Sequence, residues 1–184
     1  MTQHEYVFVA ISVVLGLAIT RLLSSAAALI RAKQRVRFHW STALWSFSVM
    51  LYVLQLWWVG WELRTVSEWA ISDFFIMITG AICIYGAAEL ALPAEDYDVS
   101  DDAELDFLAH SQSIGRLSAL SMLIYYMIGP YVNVTLFGNP LLASLVVPTA
   151  GISLMLLTIW KPAFFKVMSV LFAIYTVTVL VLTA

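Results

Sequence analysis

Six stretches of about twenty mostly apolar residues run through this chain of 184 residues. Each has the length that a helix needs to cross a bilayer. That feature leaves few folds open. In hydrocarbon every backbone N–H and C=O must be satisfied inside the protein, which a helix does within its own segment. The reading is all-α: a single membrane domain over residues 1–184, built as a polytopic bundle of about six transmembrane helices. Their expected bounds are about 5–30, 40–61, 69–92, 117–137, 141–160 and 163–183.

Composition excludes the soluble alternative. The chain is 62% hydrophobic and 11% charged, against about 45–50% and about 25% in a soluble domain. So few charges cannot cover so much apolar surface in water, whereas lipid tails accept it directly. The first run reads as an uncleaved span rather than a leader peptide. No basic residue precedes Tyr6, and the run to Leu23 is too long for a leader's apolar core. Pro93 stops the third span, Gly138-Asn139-Pro140 signals a turn, and Lys161-Pro162 breaks the fifth span from the sixth. The turns around the fifth span are short. They force the last three spans antiparallel unless the fifth is re-entrant.

Orientation follows from Lys and Arg near the span ends. Arg31, Lys33, Arg35, Arg37, Arg116, Lys161 and Lys166 fall on one side and Arg64 on the other. The basic side is therefore expected in the cytoplasm, together with the acidic loop 94–116, and both termini are expected outside. The setting expected is the plasma membrane, or the inner membrane in a bacterium. Trp40, Trp45 and Trp160 are assigned to an aromatic belt at the basic side, and Trp57, Trp58, Trp61 and Trp69 to one at the other. Three spans precede the acidic loop and three follow it, so a 3+3 inverted repeat is one possible arrangement.

Polar groups at membrane depth frame the function. Arg21 lies about ten residues before the basic end of the first span, roughly 15 Å into the bilayer at about 1.5 Å per residue. An arginine there costs about 2.5–3.5 kcal/mol even on a lenient scale, so it needs a partner or water. Glu89, four residues before Pro93, is the best candidate, with Arg116 competing for it. The pair reads either as part of a solute path or gate, or as a fixed structural lock. In the fourth span Ser121, Tyr125, Gly129 and Asn133 recur four apart, with Ser118 on a neighbouring position. Gly129-Pro130 should kink that helix and free a carbonyl. Gln55 in the second span can join the same polar layer. The stripe reads as interhelical glue or as the wall of a cavity. In the first span Ser12, Gly16, Thr20, Ser24 and Ala28 form a small-residue seam for close helix packing, whose partner is another helix of the chain or another subunit. Thr79, Cys83 and Ala87 in the third span are one candidate partner face.

Other chemistry is sparse. Glu62, Glu68 and Asp73 read as a solvated rim rather than a cation vestibule. Asp96, Asp98, Ser100 and Asp102 imitate a calcium loop, but Asp101 and Phe107 stand where glycine and glutamate are required. From Asp101 a surface helix is expected, capped by Ser100 with Leu105 and Leu108 turned inward. Asn133-Val134-Thr135 matches a glycosylation sequon but lies at or beneath the membrane surface. Cys83 reads as a packing residue. His4, His39 and His110 sit near the membrane surfaces, far from one another in sequence, so neither haem nor zinc is expected. No catalytic set converges at one depth, so no enzyme, cofactor or metal is expected. Nine basic residues form no face for nucleic acid. The expectation is a small channel or transporter for an ion or small solute, working as a homo-oligomer. The alternative is a non-catalytic accessory or assembly subunit of a larger membrane complex.

Overall fold

The computed structural model describes residues 2–31, 36–66, 68–93 and 105–183. The chain forms α1 (Gln3–Arg31), β1 (Val36–Arg37), α2 (Trp40–Glu62), α3 (Ile71–Ala91), β2 (Leu105–Asp106), α4 (Phe107–Ser113), α5 (Gly115–Tyr131), α6 (Leu141–Trp160) and α7 (Phe165–Leu182). All of these helices except α4 belong to segments long and apolar enough to span a membrane, which makes six spans. The fifth span, α6, has 20 residues, enough for a full crossing. The chain is thus an all-α, multi-pass membrane protein.

The ends of the helices follow local chemistry. His39 caps α2, its ring nitrogen accepting from the Ser41 N–H at 3.2 Å. At the start of α3, Asp73 accepts from the Ala70 N–H at 2.8 Å and from the Tyr131 hydroxyl at 2.6 Å. Asp73 is therefore buried and bonded, unlike the solvated rim group expected. In α5, Pro130 has no N–H for the Tyr126 carbonyl, and the helix widens into a π turn at Val132–Leu136. Gly138 then adopts a φ of +69°, the left-handed conformation in which glycine commonly ends helices. Asn139 N–H bonds back to the Asn133 carbonyl at 2.9 Å and closes the turn.

The spans close into a ring in the order α1, α3, α5, α6, α7, α2, and α2 also packs on α3 across it. That cross-contact divides the ring. On one side α1, α2 and α3 form a triangle; on the other α2, α3, α5, α6 and α7 form a five-membered ring. The first three spans thus pack as a triangle and the last three as a row. The halves do not repeat each other's packing, which speaks against the 3+3 repeat.

α1 buries Val7, Ile11, Leu15, Ala18, Leu22 and Ser25 against the bundle. These recur at three and four residues, the spacing of one helix face. The small-residue seam is not that face. Thr20 is exposed, Ser12, Gly16, Ser24 and Ala28 are only partly covered, and a Cβ on Gly16 would meet no atom within 4 Å. Larger side chains fill the contact with α2 and α3; Ser12 Oγ is buried, but among the described residues nothing closes on the seam at Gly16. Thr79 is likewise exposed, Cys83 half-buried and only Ala87 buried.

Trp45 also departs from its expected place. It is 1% exposed, in the core rather than in a belt, while Trp40 and Trp160 remain exposed. Its ring lies 4.4 Å from that of Phe172 and 5.4 Å from that of Phe165. Its Nε1–H donates to Ser118 Oγ at 3.0 Å, and Ser118 donates in turn to the Ala87 carbonyl at 2.8 Å. One relay thus ties α2, α5 and α3 together.

At the basic end, β1 and β2 pair in parallel, Val36 opposite Leu105 and Arg37 opposite Asp106. The surface helix begins later than expected, because Asp106 caps it: its Oδ1 accepts from Leu108 N–H at 2.8 Å and Ala109 N–H at 3.2 Å. Leu108 is half-buried. The proposed Ser100 cap, and the imitation calcium loop at Asp96, Asp98, Ser100 and Asp102, lie outside the described residues. Thr42 of α2 donates to the Phe107 carbonyl at 3.1 Å and shares a 2.6 Å hydrogen bond with Ser111, so α4 is fastened to the bundle.

His110 of α4 is buried, and neither ring nitrogen has a hydrogen-bond partner of good geometry. Burial holds its pKa below the ordinary histidine value. The unfolded chain therefore takes up a proton near pH 6.5 that the folded chain refuses, and stability falls as pH drops below about 6.5. Melting temperatures of wild type and His110→Gln between pH 7.5 and 5.5 check this: the variant should lose less stability on acidification. Equal losses would show that His110 does not carry the effect.

Candidate solute cavity

The five-membered ring encloses a cavity of about 590 Å³. All five helices of that ring supply its wall, and α1 supplies none. Its lining reaches the end of the bundle that holds the chain termini, at Glu62, Asn139, Pro140 and Thr183, which is taken as its mouth. Toward the basic end the floor is aromatic. Tyr52 stacks on Phe172 at 5.8 Å and 5°, and Phe172 meets Trp45, with all three buried. The lining runs from the terminal end of the bundle to Tyr52, behind which Phe172 and Trp45 are packed.

Helix periodicity places the wall residues. Tyr52 and Gln55, three apart on α2, point the same way. Tyr125, Gly129 and Asn133, four apart on the fourth span, line the opposite wall. Ser121, one turn earlier, does not reach the cavity. It packs on α3, where a Cβ on Gly86 would lie 3.2 Å from its Oγ. α6 contributes Pro148, whose Cγ would be 3.4 Å from a Cβ at Gly129. The proline of α6 therefore sits against the glycine beside the proline of α5. Each proline deprives a carbonyl one turn back of its donor, at Tyr126 and Ser144. Both helices are weak in their hydrogen-bond ladders at one level.

Tyrosines dominate the deep wall. Tyr52 lies edge-on to Tyr126 at 5.5 Å and to Tyr125 at 6.0 Å, and Tyr126 is edge-on to Tyr175 at 5.6 Å. Gly151 lets two of these rings rest on the α6 backbone: a Cβ there would come within 2.7 Å of the Tyr175 hydroxyl and 2.9 Å of the Tyr126 ring. The Tyr175 hydroxyl donates to the Val147 carbonyl at 2.9 Å. The Tyr52 and Tyr126 hydroxyls lie near enough to feel each other, yet neither makes a hydrogen bond of good geometry, and neither does the buried Gln55 Oε1. Glu62, which accepts from Trp58 Nε1–H at 3.0 Å, is the ionisable carboxylate on the wall, and it stands at the mouth. The deep part is uncharged.

The Arg21–Glu89 pair forms elsewhere. Arg21 Nε lies 2.8 Å from Glu89 Oε2, with the side chains 24% and 35% exposed. The approach has ion-pair distance without hydrogen-bond alignment at Nε. Tyr85 Oη donates to the same Glu89 oxygen at 3.4 Å. Arg116 does not compete for Glu89; its Nε–H donates to the Ser113 carbonyl at 3.3 Å. Neither Arg21 nor Glu89 lines the tyrosine cavity, nor an apolar groove of about 690 Å³ between α1 and α2 at the basic end. A cavity reaching Arg21, which a path through that residue requires, is not among these two.

Sequence reasoning named Gln55, Tyr125 and Asn133 but missed Tyr52, Tyr126, Tyr175 and Pro148. Their signal was available. A tyrosine in mid-span carries a hydroxyl into hydrocarbon and needs a partner there. Among the described residues no cluster of His, Cys, Asp or Glu can hold a metal ion. Compared with known protein families, with curated proteins and with solved structures, the chain matches none.

Proposed function

We propose that the chain is a carrier for a small solute, loaded from the end of the bundle that holds its termini. One observation carries this reading: a cavity ringed by five spans, whose lining reaches the end that holds the termini and meets Tyr52, backed by Phe172 and Trp45, at the other. An open pore would have no such floor. Carriers place their sites where spans are broken, so that one part of the bundle can rock against another. Pro130 with its π turn, and Pro148 facing Gly129, provide such breaks beside the cavity. Arg21 and Glu89 then act as a lock holding α1 to α3 rather than as part of the path. With the basic end in the cytoplasm, the cavity faces outward.

Proteoliposomes test the reading. Uptake should saturate with solute concentration and show counterflow, and planar bilayers should show no unitary current. Steady unitary currents would replace the carrier with a channel. An absence of both would leave the accessory-subunit reading, which one observation favours: the small-residue face of α1, uncovered at Gly16, suits a helix of a second copy or of another subunit.

A further inference from the structure

We infer that the tyrosine cavity takes a small, neutral solute with a planar apolar body and a hydrogen-bond donor, held at Gln55, Tyr52 and Tyr126. The inference rests on the carrier reading for its biological use, but binding itself does not depend on transport.

Three buried polar atoms of cavity-lining residues make no hydrogen bond of good geometry: Gln55 Oε1 on α2, and the Tyr52 and Tyr126 hydroxyls, which approach each other from α2 and α5. An unsatisfied buried polar group is costly; the two hydroxyls can partly satisfy each other, but Gln55 Oε1 needs an explanation. Water or a ligand in the cavity supplies it. Gln55 Oε1 can only accept, so its partner is a donor; the hydroxyls can donate or accept. Tyrosine edges and faces around the space favour a flat apolar body against them. Charge is disfavoured, because the deep wall offers no counter-ion and Glu62 stands only at the mouth. A full charge brought to that depth loses its hydration without compensation.

A ligand series on one ring scaffold tests this with purified protein in detergent: benzyl alcohol, toluene, benzylammonium and benzoate, followed by equilibrium binding. Benzyl alcohol should bind. Toluene, of similar shape without a donor, should bind about tenfold more weakly, as one lost hydrogen bond implies, and the two ions more weakly than the alcohol. Gln55→Leu should remove the preference for the alcohol over toluene. Tyr126→Phe and Tyr52→Phe remove one oxygen each; both should weaken alcohol binding while the melting temperature stays near that of wild type. Equal affinity for alcohol and toluene overturns the inference, as do tighter binding of either ion, no binding of any probe, or an unchanged preference in Gln55→Leu. Selective binding without transport in proteoliposomes would sink the carrier reading alone.

Discussion

Trp45→Ala is expected to destabilise the bundle by about 3 kcal/mol or more, the lower range for removing a buried aromatic side chain, and to make it leak. Burial from water is not what draws helices together in lipid, so the loss is mainly one of packing contacts. Trp45 fills the space between Phe165 and Phe172 beneath Tyr52, and its Nε1–H holds Ser118. Without it, the floor of the cavity has a void about the size of an indole. Trp45→Phe keeps most of the ring but loses the hydrogen bond, and should cost about 1 kcal/mol from that loss while staying tight. Denaturation in mixed micelles reads the stability, and release of a trapped small solute from proteoliposomes reads the seal. A Trp45→Ala protein as stable and as tight as wild type would mean that the aromatic floor is not the barrier.

Glu89→Ala leaves Arg21 without its counter-charge and should cost about 2 kcal/mol. Breaking a fully buried pair costs about 3–5 kcal/mol, and the partial exposure of both side chains lowers that figure, since arginine can snorkel toward the basic end. The double variant Arg21→Met with Glu89→Met should recover most of the loss, because apolar replacements of both members of such a pair are often neutral or stabilising. The same micelle denaturation measures all of these proteins. If Glu89→Ala matches wild type, the contact contributes nothing to stability. If the double variant is stable but no longer transports, Arg21 and Glu89 belong to the working cycle rather than to a lock.

The six spans and the partner of Arg21 were legible because both follow from strong local constraints. Twenty apolar residues have little choice but to cross, and a charge at that depth must find its opposite. Glu89, near Pro93, stands at a compatible depth in the third span. The packing faces were less legible. Spacing four apart marks a helix face but not which neighbour it meets. The small residues of α1 were therefore assigned to a seam that the described residues leave open at Gly16, while Ile11, Leu15 and Ala18 make the contact. Trp45 was assigned to a belt from residue type and depth, but its partners Phe165 and Phe172 come from the last span. The cavity was half visible for the same reason. Tyr125 and Asn133 share one stripe, whereas Tyr52, Tyr126 and Tyr175 converge only once three helices are assembled.

The place of α1 also sets an order of events in synthesis. Arg21 reaches the bilayer with the first span, but Glu89 lies 68 residues further on, in the third. Until α3 arrives, α1 holds a cation in hydrocarbon with no counter-charge from this span, a state disfavoured by about 2.5–3.5 kcal/mol on the insertion scale. The first helix therefore has reason to linger near the aqueous path of the insertion machinery until the hairpin of α2 and α3 has been made. The triangle of α1, α2 and α3 can then settle into lipid with Arg21 already paired to Glu89, before the later spans close the ring.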